Sequence, residues 1–261
     1  MADTCPEEFI AFAGRLAEAS GEVIRQYFRA DFQVETKSDA SPVTVADRGA
    51  ESAMRALIEE TYPEHGIMGE EFDYVRTDAE HVWILDPIDG TKAFVTGMPV
   101  FGTLIALMQG DRPILGVIDQ PIMRERWIGA AGRQTTLNGN PVASRQDSTL
   151  QTANHYATHP DMFAGADWDK VSTLIAEVEL SRYGGDCYAY ALVASGFIDL
   201  VTEAGLQVYD FMPLVPVVEG AGGIMTDWNG DRLTRESKGH VVAAANAACH
   251  EAAVQILRDR S

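Results

Sequence analysis

The run Trp83–Phe94 sets two carboxylates, Asp86 and Asp89, around Pro87 and Ile88, and follows them at once with Gly90 and Thr91. Two acids at this spacing, with the backbone carbonyl of Ile88 between them, offer three oxygen ligands, the donor type that hard cations such as Mg²⁺ prefer. Gly90 and Thr91 add unhindered backbone N–H groups and a hydroxyl, which suit a phosphate. The same residues also spell an Asp-Pro turn with an Asx cap at Asp89. Taken alone, the run supports the structural and the chemical reading equally.

The elements that carry these residues follow from periodicity. Val82–Leu85 is apolar and reads as a short buried strand, which Pro87 is expected to end in a sharp turn. Phe9, Phe12, Leu16, Val23 and Tyr27 recur at helical spacing, giving an amphipathic helix over Glu7–Phe28. Phe32, Val34 and Thr36 alternate as a strand, a second helix runs from Ala46 to Glu60, and His65–Glu71 reads as a loop that delivers Glu70. Phe101–Met108 and Ile114–Ile118, joined across Gly110-Asp111, form a hairpin that Arg126–Ile128 and the Asn138-Gly139 turn extend.

The second half is a looser mixture. Strands are expected at Ala153–Tyr156, Phe197–Val201 and Ile224–Thr226. Helices are expected at Trp168–Val178, Cys187–Ala194, the apolar stretch after Tyr209-Asp210 up to Gly220, and Asn246–Leu257. No flexible linker intervenes, so one catalytic unit is expected, with an N-terminal half over 1–145 and a C-terminal half over 146–261 sharing a cleft.

Composition narrows the function. The chain has 261 residues, 46% of them hydrophobic, enough for a large core. Its 39 acidic residues against 20 basic ones give a net charge of −19, which opposes attraction to nucleic acid or an anionic membrane. A phosphate substrate would then need local positive charge, and without a dense Lys/Arg cluster a bound metal is the natural source. Cys5, Cys187 and Cys249 form no C-x-x-C pair, so neither a disulfide framework nor a thiolate metal site is indicated. The acidic start of the chain is not that of a signal peptide, no apolar run reaches spanning length, and a cytoplasmic protein is expected.

Three segments together, Gly69-Glu70-Glu71, Asp86-Pro87-Ile88-Asp89-Gly90-Thr91, and Tyr209-Asp210 followed by Glu219-Gly220-Ala221-Gly222-Gly223, resemble the signature set of the inositol monophosphatase superfamily. The likeness covers essentially the whole chain. Phe101–Leu107, Gly116–Pro121 with Glu125-Arg126-Trp127, and Gly185–Tyr190 are most similar to its histidinol-phosphate phosphatase branch. Ala93 agrees, since inositol-specific members usually carry Asn after the Gly-Thr. Tyr209 stands where many members have Trp, and keeps an aromatic ring.

The resemblance implies an α+β fold, a layered αβαβα sandwich, in a homodimeric, Mg²⁺-dependent phosphomonoesterase with two or more ions per site. One metal site would be Glu70, Asp86 and the carbonyl of Ile88; the other, Asp86, Asp89 and Asp210. Asp47 and Thr91 correspond to the pair that orients the attacking water, with Glu70 beside them. Gly90, Thr91, Gly185, Asp186, Glu203 and Asp210 match substrate contacts. Singly, each acid has a plainer reading: Glu70 a loop acid, Asp47 a first-turn helix acid, Asp210 a helix cap, Asp186 and Glu203 exposed loop acids. Cys187 reads as a small buried residue, Lys37 as a solvated lysine that borders the first metal site if it does anything, and His155 as a possible cleft residue.

The expected reaction is hydrolysis of L-histidinol phosphate to L-histidinol and phosphate. An inositol monophosphatase or a bisphosphate nucleotidase is the rival within the superfamily. A silent metal-binding regulatory protein is the rival outside it. Such a protein would have lost a ligand, and none is lost.

Overall fold

The computed structural model describes residues 4–30, 34–36 and 42–258. Phe32 and Lys37 lie outside the described residues. Helix α1 (Glu7–Tyr27) is followed by a small antiparallel pair, β1 (Val34–Thr36) and β2 (Pro42–Thr44), then by helix α2 (Val45–Thr61). A seven-stranded sheet comes next: β3 (Gly66–Gly69), β4 (His81–Asp89), the short helix α3 (Thr91–Val95), β5 (Gly102–Gln109), β6 (Arg112–Gln120), β7 (Glu125–Ala130), β8 (Thr136–Leu137) and β9 (Asn140–Pro141). Its strands lie in chain order, antiparallel throughout except for the parallel β3–β4 pair.

The second sheet has five strands and a mixed order. The chain runs through β10 (Asn154–Ala157), α4 (Ala166–Glu177), β11 (Leu180–Tyr183), α5 (Asp186–Ala194), β12 (Leu200–Glu203), α6 (Val208–Phe211), α7 (Leu214–Gly220), β13 (Ile224–Thr226), β14 (Val241–Ala244) and α8 (Ala247–Leu257), and the strands assemble as β11-β10-β12-β14-β13.

The layering follows from the two-residue period of the strands. On β4, Trp83 and Leu85 pack with Ile105, Leu107, Leu115 and Val117 against Phe12 and Leu16 of α1 and Met54 and Ile58 of α2. Val82 and Ile84, on the other face, pack with Leu104, Ala106 and Ile118 against Tyr190 and Val193 of α5 and Val217 and Val218 of α7. The same middle helices cover Val201, Val241 and Ala243 of the second sheet. Its outer face, through Leu200, Val242 and Ala244, is closed by Val171 and Leu174 of α4 and Ala253 and Leu257 of α8. The result is helix, sheet, helix, sheet, helix: the αβαβα sandwich.

Several expected elements need correction. The loop expected at His65–Glu71 contains β3, a strand made by parallel pairing with β4, a tertiary cause that four residues of Gly-Ile-Met-Gly cannot announce. Pro87 does not end β4, which continues to Asp89. Asp86 pairs with Leu104 and Asp89 with Gly102, so three steps on β4 match two on β5, and the proline's missing N–H falls inside this bulge. The strand expected at Phe197–Val201 begins only at Leu200, and Phe197 is 69% exposed. The apolar stretch before Gly220 is two helices, α6 and α7, interrupted at Met212-Pro213. Strands β11 and β14 had no expectation. All three cysteines are buried and free. Among the described residues no helix is long and apolar enough to cross a membrane.

Candidate active site

The bulge re-aims the acids. Ile84 faces the middle helices, yet Ile88, four residues later and of the same parity, packs with Ile24 of α1 and Ala46 and Ala50 of α2. The strand has changed phase between them, and both Asp86 and Asp89 face the middle layer. Asp86 Oδ1 accepts the Ile88 N–H at 3.0 Å. Asp89 Oδ2 accepts the N–H of Cys187 at 2.6 Å, in the first turn of α5, which places the carboxylate at a helix N-terminus. Beneath the bulge, the buried hydroxyl of Thr103 donates to the Pro87 carbonyl at 2.8 Å and shares a 2.8 Å contact with Ser20 of α1.

Asp47 and Asp210 are fixed by a common device. Each is the third residue of its helix and closes a capping box: Asp47 Oδ2 accepts the Thr44 N–H at 2.8 Å and the Thr44 hydroxyl at 2.5 Å, and Asp210 Oδ2 accepts the Gln207 N–H at 2.7 Å. Capping occupies one oxygen of each and leaves the other for chemistry; Asp47 is the first-turn acid expected, whereas Asp210 is not the N-cap expected for the following helix but the third residue of α6, whose N-cap is Gln207. Asp47 Oδ1 lies 3.5 Å from the Thr91 hydroxyl, which also donates to the Ile88 carbonyl at 3.1 Å.

Carboxylate oxygens of Asp86, Asp89 and Asp210 all lie within 4.8 Å of one another. Glu70, the residue after β3, and Asp210 each bring a carboxyl to hydrogen-bonding range of Asp86. Burial, followed by the neighbouring charges of Glu70, Asp89 and Asp210, raises Asp86 well above the usual carboxylate range. Burial and then Asp186 and Asp210 do the same to Asp89. Burial lifts Asp210 to about 7, and Asp47 is raised chiefly by burial as well. The charges acting most strongly on Asp86, Asp89 and Asp210 are all acidic. Oxygen-only donors that repel one another, with no basic group among the leading causes of their shifts within the described residues, fit a hard divalent cation of the Mg²⁺ type.

Beside this cluster lies a cavity of about 70 Å³ lined by Asp89, Asp186, Tyr190, Glu203 and Asp210 among others. Larger surface clefts of about 560–630 Å³ are lined by other residues, so chemistry rather than size identifies the site. Asp186 is the first residue of α5, with φ at +44°, and its carboxyl lies over Gly90, where a Cβ would come within 2.8 Å of it. Gly90 itself has φ +84°, a conformation glycine adopts without strain. Burial raises Asp186 to about 6, against the pull of Lys92. Glu203 is 3% exposed and accepts from Thr158 N–H at 3.0 Å and Tyr190 OH at 2.9 Å; burial still lifts it to about 7. Gly185 is buried against Ala189 and Tyr156 at the α5 N-terminus.

The family model for inositol monophosphatases matches residues 6–261. The chain belongs to the inositol monophosphatase family. A protein of Arabidopsis thaliana named bifunctional phosphatase IMPL2, chloroplastic, is 50% identical over 98% of this chain and 77% of its own length. A histidinol-phosphatase of Chlorobaculum parvum is 36% identical over 91% of this chain and 92% of its own. Among solved structures, an inositol monophosphatase from Zymomonas mobilis superposes with a TM-score of 0.89 at 45% identity, over 96% of this chain and 98% of that one.

Within this family member, the residues expected from sequence, Asp47, Glu70, Asp86, Ile88, Asp89, Gly90, Thr91, Gly185, Asp186, Glu203 and Asp210, converge on one region between the sheets. His155 does not join them. It is fully buried between the hydroxyls of Ser181 and Thr202, and burial lowers it to about 4. Sequence reasoning missed Thr44, which the Thr-x-x-Asp capping pattern would have revealed. It also missed Tyr190, Thr158, Thr103 and Ser20, whose partners are 13, 45, 16 and 83 residues away and leave no local signal.

Proposed function

We propose that this phosphatase hydrolyses L-histidinol phosphate, with Mg²⁺ held by Glu70, Asp86, the Ile88 carbonyl, Asp89 and Asp210. The observation that carries the substrate assignment is the acidic pocket beside the metal cluster. Asp186 and Glu203 line the small cavity beside that cluster, and a leaving group bearing an ammonium and an imidazole, if seated there, would meet two carboxylates. A neutral polyol gains far less from that charge. The name of the Chlorobaculum parvum relative, a histidinol-phosphatase, supports the same reading. The likeness to the Zymomonas mobilis inositol monophosphatase favours a second one, activity on inositol phosphates.

Bound Mg²⁺ would neutralise the clustered carboxylates and supply Lewis acidity toward water and the ester oxygen. The chain's own residues do the rest. Asp47, fixed by Thr44, accepts a proton relayed through the Thr91 hydroxyl, and the two orient the attacking water. Thr91 and the N–H groups of Gly90 and Thr91 hold phosphate oxygens. Asp186 and Glu203 hold the departing alcohol by its positive charge.

Phosphate release with Mg²⁺ from histidinol phosphate, inositol 1-phosphate and a 3′,5′-bisphosphate nucleotide tests the proposal. Histidinol phosphate should lead in kcat/KM by about tenfold or more, the worth of one charge-assisted contact. A lead for either other substrate rejects the assignment. Asp186→Asn should lower kcat/KM for histidinol phosphate more than for inositol 1-phosphate.

A further inference from the structure

Glu51 lies on α2, one turn beyond Asp47, and its side chain is fully buried. Both of its oxygens are engaged. Oε1 accepts from Arg55 Nε at 2.7 Å, and Oε2 accepts the backbone N–H of Glu71 at 2.7 Å. Arg55 extends the grip, donating to the Phe72 carbonyl at 3.2 Å with its guanidinium 5.7 Å from the centre of the Phe72 ring. On the near side a Cβ at Gly69 would overlap the Glu51 carboxylate, so glycine is what allows the approach. The residue between these contacts is Glu70, whose own N–H is tied to the Leu85 carbonyl at 3.2 Å.

A buried carboxylate carries a desolvation cost of several kcal/mol unless it is well paired. This one stands close enough to Glu70 for that charge to oppose its ionisation. Holding a surface loop does not call for a second acid so near the first. Fixing one carboxylate against another before a cation arrives does.

We infer that Glu51 is a positioning residue which, together with Arg55, clamps Gly69–Phe72 so that the Glu70 carboxylate is preset beside Asp86 for a divalent cation. The inference rests on the metal-assisted reading of the site. It assigns Glu51 no contact with substrate or with the reacting atoms. Its effect is to lower the cost of ordering Glu70 when the cation binds, so its loss should appear in metal affinity before it appears in turnover.

The test uses Mn²⁺ as probe, with binding followed by electron paramagnetic resonance and, separately, Mg²⁺ titration of phosphatase activity. In the full-length protein Glu51→Gln should weaken Mn²⁺ binding by about 10–100-fold, the usual effect of removing a partner behind a metal ligand. Turnover at saturating Mg²⁺ should fall by much less. Arg55→Lys, which keeps every charge but lacks the planar fork that joins the Glu51 carboxylate to the Phe72 carbonyl, should weaken binding severalfold and covers the case in which Glu51→Gln does not fold. Metal-free melting of both variants separates affinity from stability.

Mn²⁺ affinity of Arg55→Lys equal to that of the wild type overturns the clamp, whatever Glu51→Gln does, because a loss confined to Glu51→Gln would be an effect of charge alone. Normal Mn²⁺ affinity in both variants with a lowered melting temperature makes Glu51 merely structural and also overturns it. A wild-type protein that binds no Mn²⁺ and releases no phosphate overturns the metal-assisted reading itself, and the clamp with it.

Discussion

Two sets of acids in this molecule, one buried and the other buried at Asp86 and half-buried at Asp89 and Asp210, are treated in opposite ways. Asp119 is 3% exposed and has Arg126 at 2.6 Å; Asp199 is 1% exposed and has Arg145 at 2.8 Å plus the Asn154 N–H at 2.8 Å. In the middle cleft Asp86, Asp89 and Asp210 have backbone N–H groups and one another, and among the described residues no guanidinium bonds them. The chain therefore has arginines available to neutralise buried carboxylates and uses them where the purpose is architecture. Where they are withheld, the folded protein keeps a repulsion that bound protons or an incoming cation relieve. An uncompensated cluster in a protein that elsewhere compensates its acids marks the site more sharply than acidity does.

The contrast can be broken most severely at Asp89. Exchange of a partner behind a metal ligand costs about 10–100-fold, so Asp89→Asn, inside the cluster, should cost about a thousandfold or more in turnover. The amide oxygen can still accept the Cys187 N–H, and one source of repulsion is gone, so the metal-free variant should melt no lower than the wild type. Steady-state kinetics and metal-free calorimetry check the two halves of this expectation. Near-normal turnover with Mg²⁺ would remove Asp89 from the mechanism.

The compensated set should behave in the reverse manner. Arg145→Met leaves Asp199 buried with only the Asn154 N–H, and should destabilise the fold by about 3 kcal/mol, the low end for a broken buried pair because Arg145 is partly solvated. Urea unfolding with and without Mg²⁺ measures it. The loss should be the same in both, since no cation is expected at Asp199.

The smallest effect is on pH dependence. Glu203 and Asp210, both lifted to about 7 by burial, bind protons in the folded state that the unfolded chain has already released. With folded pKa values above unfolded ones, stability falls as pH rises through the window between them. His155, lowered to about 4, acts oppositely but only below its unfolded value near 6.5. From pH 6.5 to 8 the carboxylates decide, and the melting temperature of the metal-free protein should drop by a few degrees, on the order expected for about 1 kcal/mol. Saturating Mg²⁺ should flatten that slope, and an equal slope with the metal present would argue against cation relief.

Legibility from sequence followed the range of the forces involved. The helices α1 and α2 and the hairpin β5–β6 are periodic over many residues, and their limits agree with expectation to within two residues or so. Strands β3, β11 and β14 have four residues each and exist because a neighbour supplies half of their hydrogen bonds. The acids of the site were legible by type and order, since Asp86, Asp89 and Asp210 sit in recognisable local patterns. What each oxygen does was not. The N–H on Asp89 comes from 98 residues downstream, and the support under Pro87 comes from Thr103 and, through it, Ser20 of the first helix.

The bulge in β4 has a consequence for heredity. Two aspartates separated by one residue in a regular strand would share a face without any irregularity. In this chain Asp86 and Asp89 have two residues between them, and the extra one shifts the phase of the strand so that they share a face. What it also adds is main-chain oxygen taken out of the ladder: the Pro87 carbonyl, engaged by Thr103, and the Ile88 carbonyl, turned toward Thr91. In the proposed reading the second of these is a ligand, and it belongs to no side chain. Codon changes at position 88 can alter the packing around that oxygen but cannot delete it; only a change in the length of the strand can.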